Sequence, residues 1–103
     1  MTTAKFVIVK AYYIYILSNF NRNVLYTGIT SDLQKRVWQH KQNLVKGFTQ
    51  KYQVHDLIYY EIFSNPRSAI EREKQVKSWS RRKKDELIKK FNPTLKDLYP
   101  EVV

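Results

Sequence analysis

Apolar positions along this chain change period in a way that separates strands from helices. Tyr12–Leu17, YYIYIL, is a dense β-branched and aromatic run that predicts a strand. Ser18–Asn23, SNFNRN, has the Asn and Ser content of a turn, and Val24–Gly28 resumes as a second strand to close a hairpin. Leu33, Val37, His40 and Leu44 then recur at helical spacing, with Thr30 or Ser31 as the cap and Gly47 as the C-terminal stop. Leu57–Phe63, LIYYEIF, predicts a third strand. Ser64 and Asn65 offer a cap and Pro66 a first helical position, opening a helix that runs to about Trp79. Ser80 restarts a last helix through RRKKDELIKKF, which must stop before Pro93. The tail, 93–103, reads as irregular but packed through Leu95, Leu98 and Tyr99.

The order β-β-α-β-α-α predicts an α+β domain, a small and mainly antiparallel three-stranded sheet flanked by helices. One domain is expected over 1–103, with its core at about 11–92 and a C-terminal tail at 93–103. An apolar content of 43% supports one modest core, and 15% aromatic residues argue against disorder. Without cysteine there are no disulfides and no thiolate metal sites. The longest apolar run, Phe6–Leu17, is broken by Lys10 and too short to span a bilayer. No small-residue cleavage site follows it, so a secretory signal is not expected and a cytoplasmic, membrane-free protein is.

Charge narrows the class of partner. Nineteen Lys and Arg against 9 Asp and Glu leave a net charge of +10, a field that attracts polyanions by counterion release. Nucleic acid is the expected partner. An acidic membrane is a weaker alternative, because no basic amphipathic helix with an aromatic insertion face stands out.

Several residues are poorly explained by local structure. Gly28 lies inside the second predicted strand, where glycine marks a bulge or a close approach of something to the backbone. Tyr15 and Tyr26 occupy corresponding places on the two strands and suit a cross-strand aromatic pair. Arg36 shares a helix side with Leu33 and His40, bordering the apolar stripe. In AIEREKQVKSW the spacing from Ile70 through Glu73 to Val76 puts Glu73 on the face that should be buried. A buried carboxylate costs several kcal/mol unless it is paired with a base or binds a cation. Ten basic residues between Arg67 and Lys90 make pairing easy; a magnesium-like cation with water and phosphate in its remaining shell is the sharper alternative.

Taken together, these positions resemble the GIY-YIG nuclease superfamily over about Ala11–Tyr99. Its two signature halves correspond to Tyr13-Ile14-Tyr15 and Tyr26-Thr27-Gly28, its helix arginine and histidine to Arg36 and His40, and its A-x-x-x-E element to Ala69–Glu73. Asn92 corresponds to an asparagine often found near the end of the last helix. GFTQKY, EREKQVKSWSRRKK and NPTLKDLY look typical of small stand-alone bacterial members, which are similar to the nuclease domain of an excision-repair incision subunit. Two positions depart from the pattern. Tyr13 replaces the first signature glycine and is expected to narrow the cleft, and Thr27 replaces the central isoleucine.

The resemblance implies a metal-dependent endonuclease hydrolysing phosphodiester bonds, with DNA expected as substrate ahead of RNA and a role in repair or processing of structured DNA. The alternative is an inactive nucleic-acid-binding module on the same fold. Glu73 would hold one Mg2+ or Mn2+, Arg36 would brace the phosphate, and Tyr26 would act as general base. A free phenol is protonated at neutral pH, so that last role needs cations nearby. Tyr15 would position water or Tyr26, His40 would assist proton transfer or orient the phosphate, and Asn92 would give support. Gly28 would clear space for the phosphate backbone. Lys35, Lys41, Arg72, Lys77, Arg81, Arg82, Lys83 and Lys84 would follow the nucleic-acid backbone, and whether a separate protein supplies targeting stays open.

Overall fold

The computed structural model describes residues 10–103, so the Phe6–Val9 part of the apolar run lies outside it. Strands β1 (Tyr12–Ser18), β2 (Leu25–Thr30) and β3 (Asp56–Phe63) form one antiparallel sheet in the order β2-β1-β3. Helices α1 (Leu33–Lys41), α3 (Pro66–Lys77) and α4 (Arg81–Phe91) flank it, and the class is α+β as expected. Two four-residue helices, α2 (Phe48–Lys51) and α5 (Tyr99–Val102), were not predicted. No described helix is long and apolar enough to cross a membrane.

The apolar run of β1 is explained by its central place. Every residue from Ile14 to Ser18 is buried, because both faces of this strand are covered. Tyr15 and Leu17 pack with Leu33 and Val37 of α1 and with Val54, Leu57 and Leu98. Ile14 and Ile16 pack on the opposite face with Val76 of α3 and Ile88 of α4. Each such aliphatic side chain contributes about 1.5–3 kcal/mol by leaving water. On β3 the register slips between Ile16↔Tyr59 and Leu17↔Leu57, leaving Ile58 as the extra residue of a bulge. The bulge sends Leu57 to one core and both Ile58 and Tyr59 to the other.

Helix starts depend on single side chains. Asn65 caps α3 by accepting from Ser68 N, with Pro66 behind it, and Ser80 caps α4 by accepting from Lys83 N, both as predicted. At α1 the expected cap at Thr30 or Ser31 is corrected to Asp32, which accepts from Lys35 N while Thr30 Oγ1 accepts from Asp32 N. The end of α1 is also corrected. It stops at Lys41, leaving Leu44 exposed, and Gly47 (φ 106°) precedes α2 instead of closing α1. Spacing alone missed this because Leu44 extends the apolar stripe by one turn that has nothing to pack against.

Candidate active site

The site is built around the middle of β1. Tyr15 is fully buried and pairs in register with Gly28 on one side and Tyr60 on the other. Its ring lies 6.3 Å from that of Tyr26 and 5.8 Å from that of His40, and Tyr26 lies 5.6 Å from His40. The sheet and α1 therefore bring these three predicted residues into one cluster. Burial pushes the Tyr15 phenol well above the ordinary range; Tyr26 adds to this, the Arg36 guanidinium opposes it, and Glu73 adds a smaller upward push. Arg36 and Glu73 thus act on the same phenol from α1 and α3. Tyr15 stays protonated at neutral pH and serves as a hydrogen-bonding group, not a base.

His40 is held from both ends. Its Nε2 lies 3.1 Å from the Tyr15 hydroxyl and its Nδ1 2.9 Å from Thr49 Oγ1, with His40 and Thr49 both buried. Burial pushes its pKa down to about 4, helped by the charge of Arg36 and by His55. A neutral ring carries one N–H. Because the Arg36 cation favours the Tyr15 oxygen as an acceptor, the consistent assignment has Tyr15 donate to Nε2 and Nδ1–H donate to Thr49. Both ring nitrogens are committed to this relay, so His40 orients Tyr15.

Glu73 reaches the site for a different reason from the one its spacing suggested. Ile70 is exposed, and the buried line of α3 runs through Ala69, Glu73 and Val76. The Glu73 side chain is 15% exposed and pairs with Lys77 at 3.1 Å, one turn on. Among the described residues no three His, Cys, Asp or Glu side chains gather as a closed metal cage. A single, nearly buried carboxylate has the oxygen-donor chemistry that magnesium takes, an ion that keeps several waters and few protein ligands. The Lys77 partner is half-exposed, and such a pair is worth only a few tenths of a kcal/mol.

Gly28 requires a correction. A β-carbon there would lie 2.4 Å from both Cζ and Oη of Tyr15, so the space is filled by Tyr15 and is not clearance for a phosphate backbone. Asn92 is another structural residue. It is buried, caps α4, and its Nδ2 donates to Ile58 O (3.0 Å) and Lys96 O (2.8 Å). Tyr13 lines a hollow of about 330 Å³ with Leu33, Tyr60, Ile62 and Val102, whereas Arg36 lines another hollow with Thr30, Ser31 and Lys35.

The basic residues divide into two groups. Arg72 grips Glu61 from β3 through Nε (3.0 Å) and Nη2 (3.0 Å), and its guanidinium lies over Trp79. Arg81 pairs with Asp85 and donates to Asn23 O and Arg22 O, tying α4 to the hairpin turn. Lys41 pairs with Asp97 and Asp56. These three, expected at a nucleic-acid surface, are engaged in ties within the fold. Lys83 sits over Trp79, while Lys35, Arg82 and Lys84 make no ion pair among the described residues. Thr49 and its neighbour Phe48, which stacks on Tyr26 at 6.2 Å, were missed. GFTQKY stood out in the sequence, but no periodicity connects it to the strands.

The site is thus a tyrosine pair on adjacent strands, with an arginine and a glutamate contributed by flanking helices. Residues 11–86 match the GIY-YIG catalytic domain, and the chain belongs to that nuclease family, whose substrates are nucleic acids. It is 35% identical over 80 residues to a UPF0213 protein of Bacillus pumilus, covering 78% of this chain and 81% of that one. A UPF0213 protein of Clostridium perfringens is 37% identical over 76 residues, covering 74% and 81% of the two chains. The solution NMR structure of a UPF0213 protein from Bacillus halodurans is 31% identical, covers 76% of this chain and 82% of that one, and superposes with a TM-score of 0.49.

Proposed function

We propose that this protein is a divalent-metal-dependent endonuclease acting on DNA. The observation that carries the reading is the packed cluster of Tyr15, Tyr26 and His40, whose buried phenol feels the charge of Arg36 from α1 and, more weakly, of Glu73 from α3. Glu73 would hold Mg2+ or Mn2+, which when bound would supply positive charge to offset that of the phosphate. Arg36 is half-buried and has no ion-pair partner among the described residues, so its guanidinium fork is available to grip the scissile phosphate. Tyr26 is partly exposed and relays the proton of the attacking water, releasing its own phenolic proton to solvent as it accepts that of water. Tyr15, kept neutral and oriented by His40 and Thr49, holds Tyr26 and the water in register.

Incubation with supercoiled and branched DNA, with and without magnesium or manganese, tests this. Metal-dependent cleavage that Glu73→Gln and Arg36→Ala abolish is the expected result; cleavage that survives both substitutions overturns it. The Lys77–Glu73 pair favours a second reading, a binding module in which the lysine replaces the metal. That reading predicts salt-sensitive DNA binding without any metal-dependent product.

A further inference from the structure

We infer that the aromatic ridge on α2 is a stacking platform for unpaired nucleobases, which would direct this nuclease to single-stranded segments. The inference rests on the proposed function for the place of Tyr26 beside the reacting phosphate. Phe48 and Tyr52 lie on one side of α2, with ring centroids 4.8 Å apart, and are 46% and 44% exposed. Phe48 also stacks on Tyr26 at 6.2 Å with only 27° between the ring planes. Three rings therefore run outward from the candidate site. Beyond Tyr52 lies a concavity of about 410 Å³ lined by Asn19, Phe20, Asn21 and His55, in which Phe20 is 88% exposed.

The exposure is built in. Thr49 is the buried anchor of α2, bonded to His40 through its hydroxyl and to Val54 N through its carbonyl. With Thr49 turned inward, Phe48 and Tyr52 are held at the surface. Gly47, at φ 106°, sets the turn that starts the ridge. The charge on both sides suits a nucleic-acid strand: Lys46 and Lys51 are exposed, and Lys51 Nζ lies 5.3 Å from the Tyr52 ring centre. Exposed aromatic rings beside cations bind bases by their π-faces, and only an unpaired base offers such a face. In a duplex the faces are already stacked on one another.

Binding by a Glu73→Gln background without metal separates this from turnover. Fluorescence anisotropy is read with oligodeoxythymidylate, oligouridylate and a blunt DNA duplex of matched length at one salt concentration. Phe48→Ala/Tyr52→Ala is expected to weaken single-strand binding about tenfold or more, and duplex binding less than twofold. Phe48→Leu/Tyr52→Leu, which keeps apolar bulk but removes the rings, should lose the same affinity, and Phe48→Tyr/Tyr52→Phe should keep it. A loss confined to thymidylate or to uridylate assigns the platform to DNA or RNA. Equal loss on duplex and single strand, no loss, or no single-strand binding at all overturns the inference. If wild-type protein cleaves nothing while the ring-dependent binding holds, the nuclease reading fails and the platform stands.

Discussion

The ring of Tyr15 fills the space that a β-carbon on residue 28 would need. The two residues face each other across β1 and β2, and Cζ and Oη of the tyrosine both lie 2.4 Å from that position. Tyr15 is fully buried and bonded to His40, so it has little room to give way. Gly28→Ala should destabilise the fold by about 1–3 kcal/mol, the usual cost of overpacking, and lower nuclease activity by displacing the phenol. Thermal unfolding and a cleavage assay check it. An unchanged midpoint would mean that Tyr15 moves freely.

His40 is expected to make the fold sensitive to acid. Its native pKa near 4 lies below its unfolded value of 6.5, so below 6.5 the unfolded chain binds the proton and the native chain does not. The sign follows directly: stability is full above pH 6.5 and falls on acidification until about pH 4. The cost is on the order of 1.4 kcal/mol per pH unit within that window. His40→Gln keeps hydrogen-bonding atoms but does not titrate there. Urea unfolding between pH 7.5 and 4.5 should show a shallower loss in that variant than in the wild type.

Thr49 is expected to matter for activity without touching substrate. Thr49→Val keeps the shape but leaves His40 Nδ1 without its partner, at a cost of about 1–3 kcal/mol. Tyr15 then loses its fixed orientation, and kcat should fall with little change in KM. Thr49→Ser, which restores the hydroxyl, should recover most of it.

Lys77 is expected to compete with metal for Glu73. Lys77→Ala frees the carboxylate and should lower the magnesium concentration needed for half-maximal cleavage, with stability changed by less than about 0.5 kcal/mol. An unchanged or raised requirement would show that the lysine does not compete.

The basic residues should separate in one experiment. Arg82→Ala and Lys84→Ala should each weaken DNA binding and reduce the salt slope by about one, as expected for backbone contacts. Arg72→Ala should instead destabilise the fold, because it leaves Glu61 and the buried Tyr59 hydroxyl without the cation that faces them. Chemical denaturation alongside binding distinguishes the two behaviours.

Strand and helix positions were legible where one local interaction decides them. Asn65 and Ser80 mark their helix starts, and the apolar runs mark β1 and β3 to within a residue. The Gly47 reading failed because what ends α1 is the lack of anything for Leu44 to pack against, which adjacent residues do not reveal. Glu73 was found through a stripe begun at Ile70, although Ala69 is the residue that shares its buried side. The basic residues could not be sorted from the sequence, since an arginine facing Glu61 and one facing water look alike.

Sequence alone determined the class of fold and a charge suited to nucleic acid, and it singled out the signature tyrosines, Arg36 and Glu73 as candidates. These depend on residue type and spacing, which the chain carries locally. Tertiary structure decided that Gly28 makes room for Tyr15, that His40 is locked between Tyr15 and Thr49, and that Phe48 carries the tyrosine row out to the surface. Each of these is a contact between residues distant in sequence, and its partner is chosen only when the sheet closes and α1 and α2 dock against it.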